Sequence, residues 1–285
     1  GRQVETGSVK QIFQAASHPY TQTLLASVPK LGSMTGQPLP VRYPIAVMQE
    51  DGQAQWLGQE SVQNTVKAGA PLLEVKKLCT RFDVKRDFFG RVTHRVHAVE
   101  QVSFNLYPGE TLAIVGESGS GKSTIGKTLQ QLLEPTSGQM LFRGQDIASM
   151  TAEARRHLKQ KIQYVFQDPF ASLDPRKTVG FSIAEPILTH ALLEGDAVEQ
   201  RVCALLEKVG LKATHATRYP HEFSGGQRQR ICIARALACD PELIIADESV
   251  SALDVSIRAQ ILDLLAGLTA KKGLSSLFIS HDLAV

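Results

Sequence analysis

Eight consecutive residues, Gly116-Glu117-Ser118-Gly119-Ser120-Gly121-Lys122-Ser123, fit the pattern G-x-x-x-x-G-K-[ST] and predict a loop that cradles phosphate. Gly116, Gly119 and Gly121 allow a tight turn and bring backbone N–H groups close to an anion. Lys122 reaches the β/γ-phosphates, and Ser123 offers a hydroxyl to Mg²⁺. Thr124 closes the phosphate-binding set, in the first turn of a helix whose N-terminal dipole favours negative charge. Farther along, the apolar run Leu243-Ile244-Ile245-Ala246 ends in Asp247-Glu248. Two adjacent carboxylates at the end of a buried strand are costly unless they serve a cation or a proton transfer. Asp247 is therefore assigned to Mg²⁺ and Glu248 to general-base activation of water.

Three further polar groups sit where strands or helices end. Gln167 follows Ile162-Gln163-Tyr164-Val165-Phe166, at the C-terminal strand end where α/β sheets bind ligands, and is a candidate metal or water contact. His281 follows Ser276-Leu277-Phe278-Ile279-Ser280 in the same way and is placed facing the γ-phosphate. Ser224-Gly225-Gly226-Gln227 runs into a helix expected over Ile231 to Ala238 and makes a second anion-ready end, although Ser is also a common N-cap.

The elements that must position these groups alternate in type. Thr111 to Val115 reads as a buried strand and Lys122 to Leu133 as the helix after the loop. Leu73-Glu74-Val75 and Val99 to Leu106 read as strands framing a loop rich in Arg, Phe and Gly, a leading antiparallel β-subdomain. Phe82, in its first turn, is open to two readings, a ring stacked on adenine or a core ring. Met140-Leu141-Phe142 is a strand, Thr151 to Lys161 a helix, and Ser182 to Val209 a helical insert. The stripe Val198, Val202, Leu205, Leu206 and Val209 is core. Helix Val255 to Ala270 precedes the last strand.

The N-terminal stretch differs. Ser8 to Ala16 and the residues through Ala26 read as short helices, after a strand end at Gln3 to Gly7. Residues 35–70 shift to Gly, Pro and Gln and read as a linker, with an isolated strand from Arg42 to Met48 and Trp56 packing on a domain surface.

The 285 residues suffice for one large or two ordinary domains. With 31 basic and 28 acidic residues the net charge of +3 is no footprint for nucleic acid. No apolar stretch reaches the length of a transmembrane helix. Cys79, Cys203, Cys232 and Cys239 are scattered without a C-x-x-C pair, which predicts reduced, mostly buried thiols.

Taken together these motifs resemble the ATP-binding cassette (ABC) ATPases. The resemblance covers about Leu72 to the end and rests on the loop Gly116 to Ser123, Gln167, the signature Ser224-Gly225-Gly226-Gln227, Asp247-Glu248, the turn Ser251 to Asp254 and His281, all in family order. Phe223 stands where Leu is commoner in the signature, and Ser249-Val250 replaces the usual Pro-Thr. Gln167-Asp168-Pro169-Phe170-Ala171-Ser172-Leu173-Asp174-Pro175-Arg176 and Tyr219-Pro220-His221-Glu222 resemble the peptide-importer branch. His18-Pro19-Tyr20-Thr21-Gln22-Thr23-Leu24-Leu25 resembles that branch's C-terminal tail, yet it precedes the cassette.

The resemblance implies an α/β P-loop NTPase cassette, with a RecA-like core sheet, an antiparallel β-subdomain and a helical insert. Residues 1–34 are then the tail of a first cassette, 35–70 a linker and 71–285 a second cassette, truncated at its C-terminus. It implies ATP and Mg²⁺, the ion held by Ser123, Gln167 and Asp247. Glu248, His281 and Gln167 act in catalysis, Asp254 belongs to the D-loop, and Ser224, Gly225, Gly226 and Gln227 act in trans on nucleotide held by a second cassette. Two transmembrane permeases, a periplasmic solute-binding protein, and a place on the cytoplasmic face of the bacterial inner membrane follow. The implied activity is ATP-driven import of a small peptide, glutathione foremost, with dipeptides, oligopeptides or nickel as alternatives. A cassette acting on DNA or ribosomes is the rival, and the small net charge and the short insert without Cys pairs weigh against it. A cassette that binds ATP without hydrolysing it is disfavoured by Glu248 and His281.

Overall fold

The computed structural model describes residues 3–26, 36, 45–48, 54–57, 64–249 and 255–281. They fall into two compact units, the described residues up to 64 with 255–267 in one, and 65–249 with 268–281 in the other. In the first, α1 (Val9–Gln14) is capped by Ser8, whose Oγ accepts from the Gln11 N–H at 3.3 Å. The Glu5 carboxylate accepts from the N–H and hydroxyl of Ser17, both at 2.7 Å, and from the His18 N–H at 3.2 Å. These bonds, the Ser17 N–H above all, hold Glu5 down at about 2. They also tie the entry of α1 to that of α2 (Pro19–Ala26), where Pro19 suits the first helical turn. β1 (Ile45–Met48) pairs antiparallel with β2 (Ala54–Leu57).

The second unit holds two sheets. β3 (Leu73–Arg86) and β4 (Val92–Leu106) make a long antiparallel hairpin. Next come β5 (Thr111–Val115) and α3 (Lys122–Leu129), then β6 (Ser137–Phe142) and the short β7 (Gln145–Asp146), which extend the hairpin to the order β4-β3-β6-β7. α4 (Ala152–Lys161), capped by Thr151, leads into β8 (Ile162–Val165). The helical insert follows as α5 (Val179–Thr189), α6 (Asp196–Lys208) and α7 (Gly225–Leu237). β9 (Leu243–Asp247), α8 (Val255–Lys272), which divides between the units at Gly267, and β10 (Ser275–Ser280) complete the described chain. β5, β10, β9 and β8 form a parallel sheet in that order.

β9 is buried along its whole length, as a central parallel strand must be, and its five residues are accordingly apolar up to Asp247. One core runs through both sheets: Leu73, Leu78 and Leu106 from the antiparallel side pack with Leu129, Ile162, Ile245 and Leu277. α3 lies close on the parallel sheet because Gly126 leaves room there. A Cβ on it would fall 2.9 Å from Ile279 Cδ1 and 3.1 Å from the Tyr164 ring.

Several expectations are corrected. The loop foreseen between the first two strands is mostly strand, because β3 and β4 pair from Leu73↔Leu106 out to Arg86↔Val92. Phe82 consequently lies within β3, opposite Val96, and is 39% exposed, so it is no core ring. The helix after the phosphate loop ends at Leu129, where Gln131 turns left-handed at φ +60°. The stretch 182–209 belongs to two helices, α5 and α6, in place of one, and α7 begins at Gly225 instead of Ile231. Gln3 to Gly7 contains no strand. The strand ending at Met48 is paired, not isolated. The surroundings of Trp56 and the turn 250–254, Asp254 included, lie outside the described residues.

Candidate active site

The phosphate loop joins β5 to α3, and its shape depends on Gly121, the residue capping α3 at φ +91°. A Cβ there would fall 1.9 Å from the Ala98 carbonyl oxygen. Only glycine allows both the left-handed backbone and this approach to β4. Lys122 is buried within the loop, and its Nζ donates to the carbonyls of Gly116 at 2.8 Å and Glu117 at 2.7 Å. Gly119 also lies at positive φ, +82°. Glu117, Ser118 and Ser120 complete the loop, with the Ser120 N–H donating to Glu117 O at 3.2 Å, and Thr124 follows Ser123 on α3.

The parallel sheet brings the remaining groups to the same edge. Ser123 Oγ donates to Asp247 Oδ1 at 2.8 Å, joining the start of α3 to the end of β9. The other oxygen, Oδ2, accepts from the Tyr164 hydroxyl at 2.6 Å. Asp247 is 3% exposed, and these two hydroxyls answer the cost of burying its carboxylate. Burial first, and the adjacent Asp247 second, push the Tyr164 phenol well above its ordinary value, so it stays a hydrogen-bond donor.

One residue on, Glu248 leaves the strand with a left-handed backbone at φ +44°, while its N–H donates to Ile279 O of β10 at 2.9 Å. A non-glycine residue held there stores strain of order 1–3 kcal/mol. Its side chain is aimed at two others: Gln167 Nε2 donates to Glu248 Oε2 at 2.7 Å, and His281 Nδ1 lies 3.5 Å from the same oxygen. Lys122, Ser123, Asp247, Glu248, Gln167 and His281 therefore gather at one end of one sheet.

Other expected residues lie apart from this group. Ser224 caps α7: its Oγ accepts from the Gln227 N–H at 3.3 Å, and the Gln227 side chain accepts from the Ser224 N–H at 3.1 Å. Among the described residues no hydrogen bond joins Ser224, Gly225, Gly226 or Gln227 to the phosphate loop. Phe82 stands on the hairpin, half-exposed.

Sequence reasoning missed Tyr164. Its signal was available, since a tyrosine inside an apolar strand needs a partner for its hydroxyl. It also missed a clasp on α7. The Arg228 guanidinium lies 4.0 Å from the Phe170 ring centre, and Arg235 donates to Ser172 O at 2.8 Å and to Glu185 at 2.9 Å. Both arginines tie the signature helix to the segment just after Gln167, which in turn touches Glu248. Beside this segment Phe166, Glu185, His190 and Arg235 line a groove of about 330 Å³ between the sheet and the insert.

The residues fit ATP and Mg²⁺. The glycine-bent loop closes on a buried lysine, and a hydroxyl and a carboxylate stand 2.8 Å apart beside it. Among the described residues no cluster of three or more His, Cys, Asp or Glu could hold a metal.

The ABC transporter family matches residues 99–251, and the family described as oligopeptide/dipeptide transporter, C-terminal region, matches residues 4–47. The chain is 58% identical over 285 residues to the glutathione import ATP-binding protein GsiA of Salmonella paratyphi A, and 56% identical over 286 residues to that of Pectobacterium atrosepticum. In both cases all of this chain and 45% of the relative are covered, so the chain spans less than half the length of these relatives. Among solved structures it resembles the ATP-binding cassette MJ0796, a dimer in a post-hydrolysis state with ADP and Pi. The TM-score is 0.66 at 28% identity, over 74% of this chain and 88% of that one. It also resembles cbiO1 from Clostridium perfringens, part of the ABC transporter complex cbiONQ, with a TM-score of 0.62 at 27% identity over 74% and 79% of the two chains.

Proposed function

The chain belongs to the ABC transporter family, and from that premise we propose that it is the ATP-binding and ATP-hydrolysing part of a bacterial importer of a small peptide, glutathione in particular. The observation that carries the reading is the convergence of Lys122, Ser123, Asp247, Gln167, Glu248 and His281 on one sheet edge. The amides of 116–124 and Lys122 bind the phosphates; Ser123, Asp247 and Gln167 hold Mg²⁺, which supplies charge neutralisation on the phosphate oxygens. Glu248 accepts the proton of the attacking water, Gln167 steadies its carboxylate, and His281 faces the γ-phosphate. Phe82, exposed on the hairpin, is the ring offered to adenine.

Ser224, Gly225, Gly226 and Gln227 close on nucleotide held by a second cassette, with Asp254 in the D-loop between them. The dimeric cassettes among the similar structures support this arrangement. Residues 1–34 are the end of a first cassette, 35–70 a linker and 71–285 the second. A peptide-transporter C-terminal match lying upstream of the cassette match supports that order, although it runs to residue 47, past the proposed boundary.

No described helix is long and apolar enough to cross a membrane, so the channel is assigned to two permease subunits, fed by a periplasmic solute-binding protein. The cassette docks on them from the cytoplasmic face of the inner membrane. The groove beside Gln167 suits such docking, because the clasp of Arg228 and Arg235 connects it to both Glu248 and the signature helix. Neither nucleic acid nor ribosome takes part.

The test is uptake of labelled glutathione, dipeptides and nickel by cells lacking the full-length gene. Loss of glutathione uptake is expected. Loss of dipeptide uptake alone would change the substrate, and unchanged uptake of every solute would reject transport.

A further inference from the structure

The outer end of the β3–β4 hairpin has no part in the site described above. Its turn is well fixed: the Asp87 N–H donates to Arg91 O at 2.8 Å, the Gly90 N–H to Asp87 O at 3.0 Å, and the Arg91 N–H to Asp87 Oδ1 at 2.8 Å. Gly90 takes φ +77°, and Thr93 Oγ1 donates to Lys85 O at 3.1 Å. On this frame Phe88 and Phe89 stand 98% and 82% exposed, edge to face with centroids 5.8 Å apart. Val84 and Val96 are exposed on the strands behind them.

The charge around the rings is net positive: Lys85, Arg86 and Arg91 flank them in sequence against Asp87, whose carboxylate accepts the Arg91 N–H. Arg95 is neutralised by Asp83 at 2.8 Å, but among the described residues Lys85 and Arg91 have no ion pair. Two adjacent exposed phenyl rings are unfavourable in water and mark a contact surface. Rings at the apex with cations behind them match the layering of a bilayer surface, where phosphate headgroups cover the acyl region. A protein surface would not require cations in that order.

We propose that the Phe88–Phe89 tip is a peripheral membrane contact that inserts both rings into an anionic phospholipid surface while Lys85 and Arg91 meet the headgroup phosphates. The proposal rests on reading the chain as part of a membrane transporter and adds a direct protein–lipid contact to it. Such a tip binds weakly and reversibly, so its role is to set the orientation of a subunit that permeases hold.

The test sediments the full-length protein with vesicles of phosphatidylethanolamine and phosphatidylglycerol, and with vesicles of phosphatidylcholine alone. Binding to the anionic vesicles only is expected, falling on the order of tenfold or more when Lys85→Ser and Arg91→Ser are combined. The pair Phe88→Ser and Phe89→Ser should fall comparably, with an unchanged melting temperature because the tip is exposed on all sides. Phe88→Trp should bind normally and shift its fluorescence to the blue on anionic vesicles. Equal binding by the serine variants, or an unshifted tryptophan, overturns the proposal. So does normal vesicle binding by serine variants that no longer co-purify with membrane subunits, which would give the tip a protein partner. Absent vesicle binding with intact glutathione uptake rejects this inference alone. Variant-sensitive vesicle binding with intact uptake in cells lacking the gene supports it and rejects the transport reading alone.

Discussion

Gln167 at the end of β8 and Glu248 at the end of β9 are joined side chain to side chain, Nε2 to Oε2 at 2.7 Å. The bond fixes the carboxylate that takes the proton and makes it sensitive to anything that moves the segment after Gln167. Replacing Gln167 by Ala should leave nucleotide binding in place and lower kcat about 10²-fold, the cost of a misplaced catalytic group. Gln167→Glu sets a like charge beside Glu248 and raises its pKa, so the acidic limb of the pH–rate profile should move to higher pH. An unmoved profile with normal kcat would deny the coupling.

Tyr164 and Asp247 provide a second test. Tyr164→Phe removes a donor at 2.6 Å from a buried carboxylate oxygen and should cost about 1–3 kcal/mol in urea unfolding. It should also change the Mg²⁺ concentration needed for half-maximal ATPase activity, because the freed oxygen alters the ligand field beside Ser123. Unchanged stability and unchanged Mg²⁺ dependence would remove Tyr164 from the site.

Gly121→Ala combines a left-handed backbone with a Cβ 1.9 Å from Ala98 O, and neither β4 nor α3 can retreat without unpacking the core. A loss of roughly 3 kcal/mol or more, together with loss of ATP binding, is expected. Gly119→Ala, which meets nothing within 4 Å, should be milder in stability. Equal stability of the two variants would contradict the loop geometry.

The alkaline limit of stability follows from two thiols. Burial pushes Cys232 up to about 12 and Cys239 up to about 11, from an ordinary 9.0. Both are neutral in either state below pH 9, so their contribution is complete there. As pH rises through 9 toward 11 and 12 the unfolded thiols ionise first, and the unfolded state gains. The urea midpoint should therefore fall over this window, and less steeply in Cys232→Ala. Identical slopes would show that Cys232 does not contribute.

The sheet edge was legible because its residues close apolar strand runs: Asp247-Glu248 after 243–246, Gln167 after 162–166, His281 after 276–280. Of the insert, α6 was legible from the stripe that ends at Val209. The outer hairpin was not, since the alternation Phe82-Asp83-Val84-Lys85 is too short to mark a strand before Arg86-Asp87-Phe88-Phe89-Gly90-Arg91 breaks it; its pairing continues that of the inner half, Leu73 to Thr80 against Val99 to Leu106. The contacts Tyr164–Asp247 and Arg228–Phe170 join residues 83 and 58 positions apart, which no local pattern encodes.

Steady-state ATP hydrolysis by the full-length protein carrying Glu248→Gln, measured beside nucleotide binding, tests the central claim most directly. The amide keeps the shape of the side chain and cannot accept a proton. The account predicts that binding persists while kcat drops about 10²–10⁴-fold, whereas Lys122→Ala loses binding itself. Undiminished turnover in the Glu248→Gln protein, with the unmodified first cassette silenced in the same way, would contradict it.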